Sequence, residues 1–142
     1  MGDIVKARVH WLEGRTMVGE SGSGHALVMD GPPASGGRDL GMRPMEMLLI
    51  GLGGCTQFDV LHILEKARQT VSGCRVEVVA ERADEDPKVF VKIHVHYVLT
   101  GKDLSEKQVE RAIQLSSEKY CSASIMLGAT AQITHDFEIH VG

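Results

Sequence analysis

The chain has no Cys-x-x-Cys pair, no cluster of basic residues and no apolar leader, and each absence removes a class of function. Its three cysteines, Cys55, Cys74 and Cys121, are widely separated, so the spacing of a closed structural zinc site is missing. Lys and Arg are scattered and the formal charge is −4, which disfavours nucleic acid and anionic membrane as partners. The start, Met1-Gly2-Asp3-Ile4-Val5-Lys6-Ala7-Arg8, alternates in polarity and contains no signal-like apolar core. The most apolar run, Met45 to Cys55, carries Glu46 and three glycines and is too short to span a bilayer. An odd number of cysteines without an export signal implies free thiols in a reducing, cytoplasmic compartment. Ser21-Gly22-Ser23-Gly24 is glycine-rich but lies between strands, so it is not a phosphate loop.

What is present is an ordinary globular composition, 43% hydrophobic and 24% charged, over 142 residues. That length predicts one domain with a sizeable core. Apolar residues alternate at Val5, Ala7, Val9 and Trp11, which predicts a first strand. Two more strands are predicted before an irregular loop over Gly31 to Met42. Pro44 suits the first position of a helix, and the helical pattern continues to Thr70 with Gly73 as its stop. A hairpin follows, with Cys74 to Ala83 and Lys88 to Thr100 as its strands. Val89, Val91, Ile93, Val95, Tyr97 and Leu99 share one face of the second. Ser105 and Gln108 make a capping box for a helix to about Tyr120. A short helix from Cys121 to Gly128 and a last strand from Ala131 to Val141 complete an α+β order with mostly antiparallel pairing.

The helix beginning at Pro44 is apolar on nearly every face, which requires burial on nearly every face. Unbroken, it is about 40 Å long, against an expected radius of gyration of about 14–15 Å. A homodimer with these helices in a shared core resolves the mismatch. A break at Gly53-Gly54, giving two shorter helices in a monomer, is the alternative.

A thiol in apolar helix is either inert packing or a nucleophile kept from water. Cys55 is mid-helix and needs a cation or donors from elsewhere, whereas Cys121 opens a short helix beside Lys119, where a thiolate is better favoured. Cys74, at a strand start, reads as inert. Asp59 lies four residues after Cys55 on the same helix face, and an ionised carboxylate there opposes thiolate formation unless an arginine pairs with it. His94 and His96 share a strand face with Lys92 and read as a solvated surface rather than a metal site. His62 reads as a core histidine.

Pro44-Met45-Glu46-Met47-Leu48-Leu49, then Gly53-Gly54-Cys55, and later Ser117-Glu118-Lys119-Tyr120-Cys121-Ser122 together resemble the OsmC/Ohr family, nearest its YhfA-like branch. The resemblance implies an intertwined homodimer with antiparallel sheets around long central helices. It also implies thiol-dependent reduction of organic hydroperoxides, with recycling electrons from a small dithiol or a lipoylated protein; the residue pattern itself calls for no cofactor or metal. Cys55 would attack the peroxide, Cys121 would resolve the sulfenic acid, and Glu46 would assist. Glu46 stands nine positions before Cys55 where the peroxidases have ten, and it also suits capping, with Arg43 as N-cap and Pro44 at N1. Arg43 and Arg38, with Arg15 and Arg8 behind them, are the candidates for the thiolate-stabilising arginine. Met45, Leu49 and Phe58 would line an apolar peroxide pocket. The rival reading is a non-catalytic OsmC-like module that binds a small ligand or senses redox state.

Overall fold

The computed structural model describes residues 2–142. They form two compact units, one ending at Leu48 and the other running Leu49–Gly142. The order of elements is the expected α+β one.

The first unit is a three-stranded antiparallel meander of β1 (Ala7–Glu13), β2 (Thr16–Ser21) and β3 (Ala26–Met29). Its apolar row on β1 is unburied: Val9 and Trp11 are 57% and 72% exposed. The loop after β3 folds around one buried carboxylate. Asp30 accepts from the Thr16 hydroxyl (2.7 Å) and from the backbone N–H groups of Gly31 (2.7 Å), Arg38 (3.2 Å) and Leu40 (3.3 Å). Burial alone would raise its pKa, but these four donors outweigh it and hold the value at about 2. Gly41 is required here because a Cβ would collide with the Val28 carbonyl.

Helix α1 (Pro44–Lys66) starts in this unit and continues into the second. It is shorter than the pattern to Thr70 predicts. Arg68 takes a left-handed φ of 60°, its N–H bonds Glu65 O and the Gln69 N–H bonds Leu64 O, which closes the helix before Gly73 is reached. Gly73 lies instead inside β4 (Thr70–Arg82), at a register irregularity opposite Thr100 of β5 (Phe90–Lys102).

In the second unit β4 and β5 pair antiparallel, with Val76 opposite Tyr97 and Val78 opposite Val95. Strand β6 (Gln132–Val141) pairs with β5 in parallel, against the antiparallel pairing of the other named strands. A parallel neighbour demands a long crossover, and it is supplied by α2 (Glu106–Leu115), a π-helical turn at Ser116–Tyr120 and α3 (Ser122–Leu127). The Ser105 side chain caps α2 by accepting from the Gln108 N–H (3.3 Å), while the Ser105 N–H goes to the Gln69 side chain rather than completing the box. Leu52, Val60 and Leu64 of α1, Ile93, Val95, Tyr97 and Leu99 of β5 and Val109, Ala112 and Ile113 of α2 build the core.

By length and composition α1 is apolar enough to cross a membrane. One side of it, however, packs on the sheet: Gly53 faces Val76 and Val78, and the Gln57 amide donates to the Cys74 carbonyl (2.9 Å). Its other side is open, with Ile50, Phe58 and Leu61 exposed and, among the described residues, no contact within 4 Å for a Cβ placed on Gly51 or Gly54.

Candidate active site

Two cysteines from distant parts of the sequence meet in the second unit. The Sγ atoms of Cys55 and Cys121 and a carboxylate oxygen of Asp59 all lie within 4.8 Å of one another. Cys55 and Asp59 are one helical turn apart on α1, so they share a face. Cys121 is delivered by the π-helical turn, whose extra residue lets the Cys121 N–H bond the Ser116 carbonyl (2.8 Å). The same turn aims the Ser116 hydroxyl at Asp59 (3.0 Å) and places Cys121 as the residue that precedes α3.

Behind the thiols runs a buried line of hydroxyls. Tyr97 and Thr56 are 2.7 Å apart, and Thr56 and Ser116 are 2.8 Å apart. Each hydroxyl has one proton to give. Because Ser116 gives its proton to the Asp59 carboxylate, Thr56 donates to Ser116 and Tyr97 donates to Thr56. Burial pushes the Tyr97 phenol up to about 12, so it remains a donor across the physiological range.

Cys121 is fully buried. Burial raises its thiol pKa, the Ser124 N–H donating to Sγ (3.4 Å) pulls it back, and Cys55 raises it further. This corrects the expectation that the start of a short helix and Lys119 favour its thiolate. Lys119 lies over the Tyr120 ring instead, 5.2 Å from its centre. Cys74 is half-buried and its thiol is likewise raised by burial.

Beside Asp59 opens a cavity of about 530 Å³, lined by His62, Lys66, Arg111, Leu115 and Tyr120 among others. The sequence predicts an apolar pocket, yet this one is mixed and carries basic groups. His62 is exposed at its wall rather than buried in the core. Among the described residues no ion pair forms at Asp59, and its hydrogen-bond partner is the Ser116 hydroxyl rather than an arginine. Thr56, Ser116, Tyr97 and Arg111 escaped the sequence reading. The only signal for Tyr97 was a phenol on an otherwise aliphatic strand face, and for Thr56 its place next to Cys55.

The remaining predicted residues are occupied elsewhere. Glu46 accepts from the Arg43 backbone N–H (2.8 Å), which is the capping arrangement the spacing allows. The Arg43 guanidinium bonds Asp39 (2.7 Å) and the Gly41 carbonyl (3.2 Å). The Arg38 guanidinium bonds Thr16 (2.9 Å) and Glu13 (3.1 Å). Phe58 is 77% exposed. Leu49 lines a separate cavity with Gly53, Gln57 and Cys74, and Met45 lies half-buried in the first unit. His94 and His96 form an exposed strip in which both rings bond Asp136 (2.9 and 2.6 Å), consistent with a solvated face.

Paired cysteines carried by a core helix and by the turn before a second helix, in a two-sheet α+β chain, define a class of small dithiol proteins. The chain belongs to the OsmC-like protein family, whose family model matches residues 36–136. It is 46% identical to Protein YhfA of Escherichia coli strain K12, over 95% of this chain and 98% of that protein. Among solved structures it is similar to a hypothetical protein from Aquifex aeolicus VF5, at 28% identity and TM-score 0.87 over 99% of both chains. It also shares its fold with an organic hydroperoxide resistance protein OsmC from Legionella pneumophila. That likeness is 16% identity and TM-score 0.73, over 96% of this chain and 97% of the other.

Proposed function

We propose that the protein is a two-cysteine peroxidase for organic hydroperoxides that works as a homodimer. The observation that carries this reading is the approach of the Cys55 and Cys121 sulfurs to within 4.8 Å, close enough for a disulfide after a small local shift. The family's redox and peroxide-related character points the same way. The Legionella pneumophila protein is described as an organic hydroperoxide resistance protein.

In this reading the Cys55 thiolate attacks the distal oxygen of ROOH. The O–O bond breaks, the alkoxide leaves as ROH after taking a proton, and Cys55 becomes a sulfenic acid. The Cys121 thiolate then attacks the Cys55 sulfur, the S–O bond breaks, and the hydroxide leaves as water on protonation. The sum is ROOH and two thiols giving ROH, water and one disulfide, which a dithiol or lipoylated reductant reopens. Cys55 begins the cycle because it is the less buried thiol, while Cys121 waits behind it, held as a thiol by its burial. For Glu46 to assist, and for Arg38 or Arg43 to stabilise the thiolate, these side chains exchange their present partners for the site when a second copy docks.

A second copy covers the open apolar side of α1, where Ile50, Phe58 and Leu61 are exposed, and Met45, Leu49 and Phe58 then line the peroxide pocket. The test is steady-state consumption of cumene hydroperoxide with a dithiol reductant. Cys55→Ser is expected to be inactive, and Cys121→Ser to over-oxidise to the sulfinic acid after one turnover. Equal activity in Cys55→Ser and the unsubstituted protein would leave the rival reading, a ligand-binding or redox-sensing module.

A further inference from the structure

The site gathers three groups that are all anionic when ionised, two thiols and a carboxylate, and each is a metal donor. A tetrahedral Zn²⁺ with bonds of about 2.3 Å to sulfur and about 2.0–2.2 Å to oxygen separates its donors by roughly 3.5–3.8 Å. Donor atoms already within 4.8 Å of one another reach that geometry with shifts of about an ångström or less. Two of the three donors are also held from outside. Ser116, backed by Thr56 and Tyr97, donates to the Asp59 carboxylate, and the Ser124 N–H donates to the Cys121 sulfur. Such supporting bonds orient metal ligands in proteins generally.

We propose that the reduced, dithiol form of the protein binds one soft divalent cation, Zn²⁺ above all, through Cys55 Sγ, Cys121 Sγ and an Asp59 carboxylate oxygen, leaving one coordination position open. Two sulfurs and one oxygen select zinc-like cations over calcium or magnesium. Binding expels two thiol protons, so the affinity rises with pH. With both thiols deprotonated, the three ligand charges and the cation leave the centre with one negative charge. The absence of Cys-x-x-Cys spacing excludes a closed structural site but not this one, whose donors come from α1 and from the turn before α3. The proposal stands independently of the peroxidase reading, since its readout is binding.

The test titrates the fully reduced protein with Co²⁺ and then displaces it with Zn²⁺. The expected result is one equivalent of Co²⁺ with a thiolate-to-cobalt charge-transfer band, halved in intensity in Cys55→Ser and in Cys121→Ser and unchanged in Cys74→Ser. Asp59→Asn keeps the band but weakens Zn²⁺ affinity by about tenfold or more. A measurement on the unsubstituted chain guards against misfolded variants: Zn²⁺ slows alkylation of Cys55 and Cys121 and leaves Cys74 unchanged. Cobalt bound without a thiolate band, as at the exposed His94–His96–Asp136 strip, overturns the proposal, as does equal alkylation of all three cysteines with and without Zn²⁺. A protein that reduces peroxide yet fails the metal test sinks this inference alone, and one that binds Zn²⁺ without peroxidase activity sinks only the other.

Discussion

Two buried or half-buried aspartates divide structural from reactive duty in this chain. Asp30, in the first unit, collects four donors, three of them backbone N–H groups, and is fully buried. Asp59, in the second, has one hydroxyl donor and two thiols within 4.8 Å. A carboxylate surrounded by fixed backbone donors has nothing left to do but hold its loop. One with a single hydroxyl donor, at the wall of a cavity and against two sulfurs, still has capacity for a proton, a cation or a substrate group. The contrast teaches that counting donors around an acid separates the two roles better than burial does.

The comparison breaks most visibly by substituting the first acid. Asp30→Ala strands a hydroxyl and three backbone N–H groups, and we expect a fall in Tm on the order of 10 °C, read by circular dichroism. Acid should do the same gradually. Because the folded pKa of Asp30 lies near 2, below its ordinary value, its stabilising contribution is present above about pH 4 and is lost as pH falls from about 4 to about 2. Urea midpoints across that window should show a slope that Asp30→Asn reduces. In the second unit Thr56→Val keeps the shape but strands the Tyr97 hydroxyl, at about 1–3 kcal/mol in urea unfolding. Tyr97→Phe removes only the end of the line and should cost about 1 kcal/mol. Asp59→Asn should change stability least, by under about 1 kcal/mol, while raising the rate of Cys55 alkylation several-fold at neutral pH, since the charge opposing the thiolate is gone. If Asp59→Asn destabilises as much as Asp30→Ala, the two acids do the same job and the contrast fails.

Most of the fold was legible because the patterns that specify it are local. The alternation over Ile93 to Leu99, Ser105 ahead of α2, and Pro44 with Glu46 at the start of α1 all act within a few residues. The two cysteines were legible as candidates, and their meeting followed from the family resemblance rather than from spacing. The end of α1 was misplaced because Arg68, not a glycine, adopts the left-handed conformation there. The π-helical turn was missed because one extra residue per turn leaves no signature in hydrophobic periodicity. The hydroxyl line from Tyr97 to Asp59 was out of reach for a related reason: its members come from α1, β5 and the crossover, and only the tertiary fold brings them together.

The most direct measurement is a single-turnover reaction of fully reduced protein with one equivalent of cumene hydroperoxide, followed by peptide mass spectrometry under non-reducing conditions. The predicted result is one Cys55–Cys121 disulfide per peroxide consumed, with Cys74 still free. Unreacted peroxide, or oxidation that falls on Cys74 while Cys55 and Cys121 remain thiols, would contradict it.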